Sequence, residues 1–208
     1  MPVLLDDSPI AIDGPTMASA LAAARAAAES QGRVITDIIL DGCPVAENPL
    51  APTITDAPLA PAADLRFVTA DPVELVQASL REAAIGLDGV NTHQRAAAHA
   101  IQTGRFDHAM PSLSEAFTTW ETARRTVTDG CGLLGLDPEG LLVEVEGSPV
   151  PLAGAVNMLL IRLTEIKRCL TAQDWCGLSD VLAYDLPADA ELWRGLLRGM
   201  ADKLPQLR

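Results

Sequence analysis

Aromatic side chains are scarce in this chain of 208 residues, with three Phe, three Trp and one Tyr. The core must therefore be aliphatic, and 49% apolar residues leave ample Leu, Ala, Val and Ile to build it. Lysine is scarcer still: Lys167 and Lys203 are the only two, which leaves few candidates for Schiff-base chemistry. A basic stripe is also lacking. The formal charge of −13 is spread along the chain, so a nucleic-acid backbone and an anionic membrane surface are both repelled. A basic or amphipathic protein partner is compatible with that field. Long apolar runs are missing too. The densest, Pro151 to Ile161, is too short to cross a bilayer, and the N-terminus carries no charged segment followed by an apolar stretch. A cytoplasmic protein is expected. Arginine outnumbers lysine thirteen to two and alanine is abundant, which suggests a GC-rich bacterial genome.

Catalytic signatures are missing as well. The chain has no G-x-S-x-G nucleophile elbow and no P-loop. Gly130, Gly132 and Gly135 match the G-x-G-x-x-G spacing. However, they trail a helical stripe, whereas a dinucleotide site needs them between a strand and a helix start. They are expected to loosen a helix end. His93, His99 and His108 form no metal-binding pattern, and Cys43, Cys131, Cys169 and Cys176 contain no C-x-x-C pair. The last three lie in apolar helical stretches, where a thiol behaves as a small hydrophobe. No cofactor, metal or catalytic residue is indicated, so the expectation is a protein that is not an enzyme.

What is present divides near residue 70. Val3–Leu5 and Ile10–Ile12 read as strands joined by Asp6-Asp7-Ser8-Pro9 turn chemistry. Asp13-Gly14-Pro15 opens an Ala-rich helix over 18–30 that stops at Gly32. Arg33–Leu40 is the strongest strand, Asp41-Gly42 a tight turn and Pro44-Val45 a short return. Asn48–Ala63, with four prolines, reads as a loop, and Leu65–Thr69 is the last strand. This order resembles a β-grasp layout over residues 1–70.

From Asp71 the period changes. Asp71-Pro72-Val73-Glu74 carries three helix-start signals. Apolar or small residues follow at 73, 76, 80, 83, 87, 90, 97 and 101, interrupted by Gln94. Alternating steps of three and four place them on one helix face. A second stripe runs through Phe106, Met110, Leu113, Phe117, Trp120, Val127, Cys131 and Leu134, and Pro111 is early enough to be tolerated. Leu141–Val145 is open between strand and helix. A third stripe is Leu152, Val156, Leu159, Leu163, Ile166 and Leu170. Asp174 caps a shorter helix that Leu186-Pro187 breaks, and a last helix holds Leu192, Leu196, Met200 and Leu204. The fold class is α+β. A β-grasp-like domain (1–70) precedes an antiparallel helical bundle (71–208) with a three-helix core and a smaller cover.

The densest group of interesting types lies in that cover: Trp175, Asp180, Tyr184 and Asp185. It is the candidate protein-binding surface, because aromatics serve as interface anchors. The bland reading of the same residues has Trp175 packed inward and Tyr184 bonding a backbone group.

The long helix from Pro72, the Gly104-Arg105-Phe106-Asp107-His108-Ala109 junction and the aliphatic helix over 152–170 resemble the bundles of flagellin-binding flagellar export chaperones across residues 72–186. That resemblance implies a chaperone that holds a client's amphipathic helices in an apolar groove. The favoured expectation is thus a non-enzymatic adaptor or chaperone-like protein. Two alternatives stay open: a small-ligand sensor or enzyme using an inter-domain cleft, and a structural subunit of a homo-oligomer.

Overall fold

The computed structural model describes residues 2–45, 59–60 and 64–207. The chain forms two compact units, Met1–Leu75 and Val76–Arg208. Most of the loop expected over Asn48–Ala63 lies outside the described residues.

In the first unit, β1 (Val3–Leu5) and β2 (Ser8–Pro9) form a hairpin. Its turn is two residues, Asp6 and Asp7, both at positive φ (45° and 66°). Paired left-handed residues make the turn whose twist matches a hairpin, and Asp tolerates them. The early turn corrects the strand expected at Ile10–Ile12. Pairing starts at once with Leu5 opposite Ser8 and Leu4 opposite Pro9, and its last bond runs from the Ile10 amide to Val3 O (2.9 Å). Ile10 and Ile12 instead pack against the core, partly buried. Helix α1 (Met17–Ser30) is capped by Thr16, whose hydroxyl accepts from the Ser19 amide at 3.2 Å. Pro15 therefore precedes the cap.

Strands β3 (Val34–Leu40), β4 (Cys43–Pro44) and β5 (Leu65–Ala70) complete a sheet of order β2-β1-β5-β3-β4. β1 and β5 run parallel at its centre and the other pairs are antiparallel. This is a β-grasp-like arrangement. Met17, Ala20, Leu21, Ala24 and Ala28 recur every three or four residues along α1, and they share a core with Val3, Leu5, Ile38, Leu65 and Phe67.

The helical region begins with α2 (Pro72–Gln102), 31 residues long. Asp71 caps it, its carboxylate accepting from the Val73 amide at 2.8 Å. The expected stripe is buried from Val76 to Ile101, and Gln94 is buried within it. Helix α3 (Phe106–Leu134) ends on Gly135 in the left-handed conformation. Here the large residues misled. Phe106 and Met110 are exposed, while Ala109, Ala116 and Ala123 join Leu113, Trp120 and Val127 in the core. Small residues let helices approach, so larger ones are displaced to the flanks of the contact. Gly130 shows this most sharply: a Cβ there would lie 2.8 Å from Val76 Cγ1. It is a close-packing position rather than a loosened helix end.

Leu142–Val145 (β6) and Ser148–Pro151 (β7) form a hairpin around Glu146 and Gly147, both at positive φ. Helix α4 (Leu152–Ala172) follows, then α5 (Trp175–Asp180), a π-helical turn over Val181–Asp185, and α6 (Leu186–Lys203). Leu186-Pro187 therefore does not break the chain's course. Pro187 has no N–H and its ring would clash with the carbonyl four residues back. Widening to a π-turn, in which the Leu186 amide donates to Val181 O, absorbs both problems.

The region consequently holds four long antiparallel rods, with α5, the π-turn and α6 forming the fourth, in place of a three-helix core with a cover. Val76 meets Gly130 and Gly86 meets Thr119, so α2 and α3 are antiparallel. Gln102 donates to Ser179 Oγ (2.7 Å), Arg194 pairs with Asp88 (3.0 Å) and Gln77 donates to Ala201 O (2.7 Å). Those contacts run the fourth rod antiparallel to α2. Arg162 of α4 meets Asp185 at 3.2 Å and Asp189 at 3.4 Å. At the centre, Trp120 and Trp193 pack edge to face, ring centroids 6.2 Å apart. Each buried indole removes roughly 200 Å² from water, a gross gain on the order of 5 kcal/mol.

A candidate binding groove between two helices

The four expected site residues have different surroundings. Trp175 is half-buried and stacks on Phe106, centroids 4.7 Å apart. Asp174 caps α5, accepting from the Gly177 amide at 2.9 Å. Asp185 is committed to Arg162. Asp180 and Tyr184 stay on the exposed side, with Tyr184 73% exposed. Among the described residues its hydroxyl bonds no backbone group.

A more continuous apolar feature lies along the seam of α3 and α4. One cavity of about 260 Å³ is lined by Phe117, Glu121, Leu163, Ile166, Lys167 and Leu170. Further along the same seam, a cavity of about 570 Å³ is lined by Val127, Pro138, Val156, Asn157 and Leu160, among others. α4 exposes Leu160 (45%) on this groove, and Met158 (48%) and Ile161 (52%) on other sides of the same turn. The reason is local. From Leu152 to Ile161 the helix carries no charged residue, so it is apolar all round and cannot bury every side within one bundle.

The two walls differ in charge. α3 carries four acids (Asp107, Glu115, Glu121, Asp129) against two arginines. α4 carries three bases (Arg162, Lys167, Arg168) against Glu165 alone. Hydrogen bonding from Arg124 holds the Glu121 carboxyl below its ordinary range, so it stays ionised. Arg162 and Arg168 are paired, to Asp185 and Asp189 and to Glu165 and Asp174 respectively. Lys167 makes no ion pair among the described residues.

The groove's chemistry is that of holding apolar side chains between charged rims. The buried thiols lie outside that chemistry. Burial raises the pKa of both Cys131 and Cys169, which disfavours the reactive thiolate. Cys43 and Cys176 are exposed, a difference from the core position expected for Cys176, and all four cysteines are free. Among the described residues, no three His, Cys, Asp or Glu side chains gather as a metal site, and no helix is long and apolar enough to cross a membrane.

Sequence reasoning passed over Leu160 and Ile161 because they fall between the heptad positions of the third stripe. The usable signal was the same Pro151–Ile161 run, apolar on every side rather than on one. No family model, characterised protein or solved structure matches this chain, and nothing links it to the flagellar export chaperones.

Proposed function

We propose that the protein is a non-enzymatic, chaperone-like binding module whose α3–α4 groove accepts an amphipathic helix. The observation that carries this reading is exposed Leu160 on the wall of an apolar groove that Phe117, Leu163 and Leu170 continue. Exposed apolar surface rimmed by polar residues marks interaction sites, and a groove between two antiparallel rods matches the helix-in-groove mode. Leu160, Leu163 and Phe117 are the anchors; Glu121 and Lys167 set the rims. Trp175, Asp180 and Tyr184 form at most a secondary contact, because Trp175 is stacked on Phe106 and the other two stand apart from the groove lining.

Capture from the host on the full chain tests the reading. A protein retained by the wild type should be lost from Leu160→Glu and kept by Tyr184→Ala. Retention that ignores Leu160→Glu but fails with Tyr184→Ala would move the site to the Trp175–Asp185 surface.

A further inference from the structure

We infer that the helix-bearing partner of the α3–α4 groove is a second copy of this chain, seated face to face about a two-fold axis along the seam. The inference rests on the binding reading above and names its occupant.

Charge carries it. Of the residues that line the groove, α3 contributes one acid, Glu121, and α4 one base, Lys167, on opposite walls. A partner helix with one rim sign would be attracted by one wall and repelled by the other. Rotation by 180° about the seam lays α3 of one copy over α4 of the other, twice, so acidic meets basic on both sides. An isologous interface must be self-complementary in this way. Direction agrees as well. α3 and α4 are antiparallel across the seam: Phe117 lines one cavity with Leu170, and Val127 lines the next with Val156. An axis along the helices preserves each direction, so each α3 packs antiparallel on the other copy's α4.

Specific residues follow from the symmetry. Glu121 and Lys167 line the same cavity from opposite walls, hence at the same level. The rotation places the second copy's Glu121 over Lys167, the α4 cation that has no ion pair among the described residues. Leu160 then closes against the α3 side of the partner copy, which covers an apolar side chain that a single bundle leaves 45% exposed. The −13 charge opposes close approach of two copies elsewhere, so a face of opposed walls is where self-association is least resisted.

Sedimentation velocity of the full chain across a wide concentration range is the test. The expected result is reversible association to twice the 21.9 kDa chain mass. Leu160→Glu should sediment as a monomer with an unchanged helical circular dichroism spectrum. Glu121→Lys also loses the hydrogen bonds from Arg124, so an unchanged helical circular dichroism spectrum is the control for it and for Lys167→Glu. Each should raise the dissociation constant about tenfold, since each breaks two symmetric pairs. The double charge swap should restore it to within about threefold of the wild type. A wild type that stays monomeric throughout overturns the inference, as do single reversals without effect or a double swap that does not restore association. If a monomeric wild type still captures a different protein through Leu160, the groove binds a foreign helix and only the second-copy assignment falls. If both association and Leu160-dependent capture are absent, the binding reading falls with it.

Discussion

Gln94 is completely buried in α2, yet neither atom of its amide has a hydrogen-bond partner among the described residues. A buried amide without partners costs about 1–3 kcal/mol. Gln94→Met, close in volume, should therefore raise stability by about 1–2 kcal/mol in chemical denaturation. A loss of stability would instead mean that the amide is satisfied by buried water. Asp6 behaves in the opposite sense. Its carboxylate accepts from the Thr69 amide (2.8 Å) and from the Thr69 hydroxyl, beside Arg33 at 3.6 Å. The Thr69 hydroxyl chiefly, with the Thr69 amide and Arg33, lowers its pKa from the ordinary 3.8, against the opposing effect of burial. A carboxyl whose folded pKa is depressed contributes stability above its unfolded value and loses it as pH falls through the folded one. Asp6→Asn should flatten acid unfolding of the first unit below pH 3.8 and cost about 1 kcal/mol near neutrality, because the site is over a third exposed. A variant with an unaltered acid limb would contradict this.

At the scale of elements, the helix starts and lengths were legible because their signals agree locally. Asp71-Pro72-Val73-Glu74 states a cap, and the 76–101 stripe states a buried face. The β3–β4 hairpin was legible as well, since the β-branched run over 34–40 leads into the Asp41-Gly42 turn, whereas the sheet layout was expected only from the β-grasp resemblance. Three features were not legible. The Asp6-Asp7 turn closes two residues earlier than turn chemistry alone indicates, because two Asp accept positive φ. Pro187 reads as a break, yet a π-turn absorbs it. The α3 stripe, read on large residues, buries Leu113, Trp120, Val127 and Cys131 as expected, but Ala109, Ala116 and Ala123 share that face while Phe106 and Met110 are exposed. Close approach of elements explains the last, and the β6–β7 hairpin repeats the lesson. A Cβ at Gly195 would lie 2.6 Å from Val145 Cγ1, and one at Gly199 would overlap the Glu144 carbonyl oxygen. Gly199→Ala should lift this hairpin from α6 and destabilise the helical region by about 1–3 kcal/mol. Hydrogen exchange over residues 142–151 is the check: unchanged protection there would show that the contact yields without cost.

Across the whole molecule, the groove was only half legible. The heptad stripes located the bundle's interior, and Leu163, Ile166 and Leu170 were read as core when they also floor the seam. Exposed Leu160 was hidden by its position between stripe residues, and the opposition of Glu121 and Lys167 emerges only once α3 and α4 are side by side. The densest aromatic-acidic segment drew attention first. Its members are tied into local structure at Phe106 and Arg162 or stand apart. Solution conditions should distinguish the terms. Apolar anchoring in the groove should survive moderate salt, whereas the Glu121–Lys167 contribution should weaken over a Debye length of about 8 Å at physiological ionic strength.

The most direct measurement is site-specific photocrosslinking in the host, with the photoreactive residue placed at Leu160 and, in a parallel chain, at Tyr184. The groove account expects a discrete protein adduct from Leu160 that disappears with Phe117→Glu, and little or none from Tyr184. Adducts from Tyr184 with Leu160 silent would contradict it and place the binding surface on the α5–α6 rod.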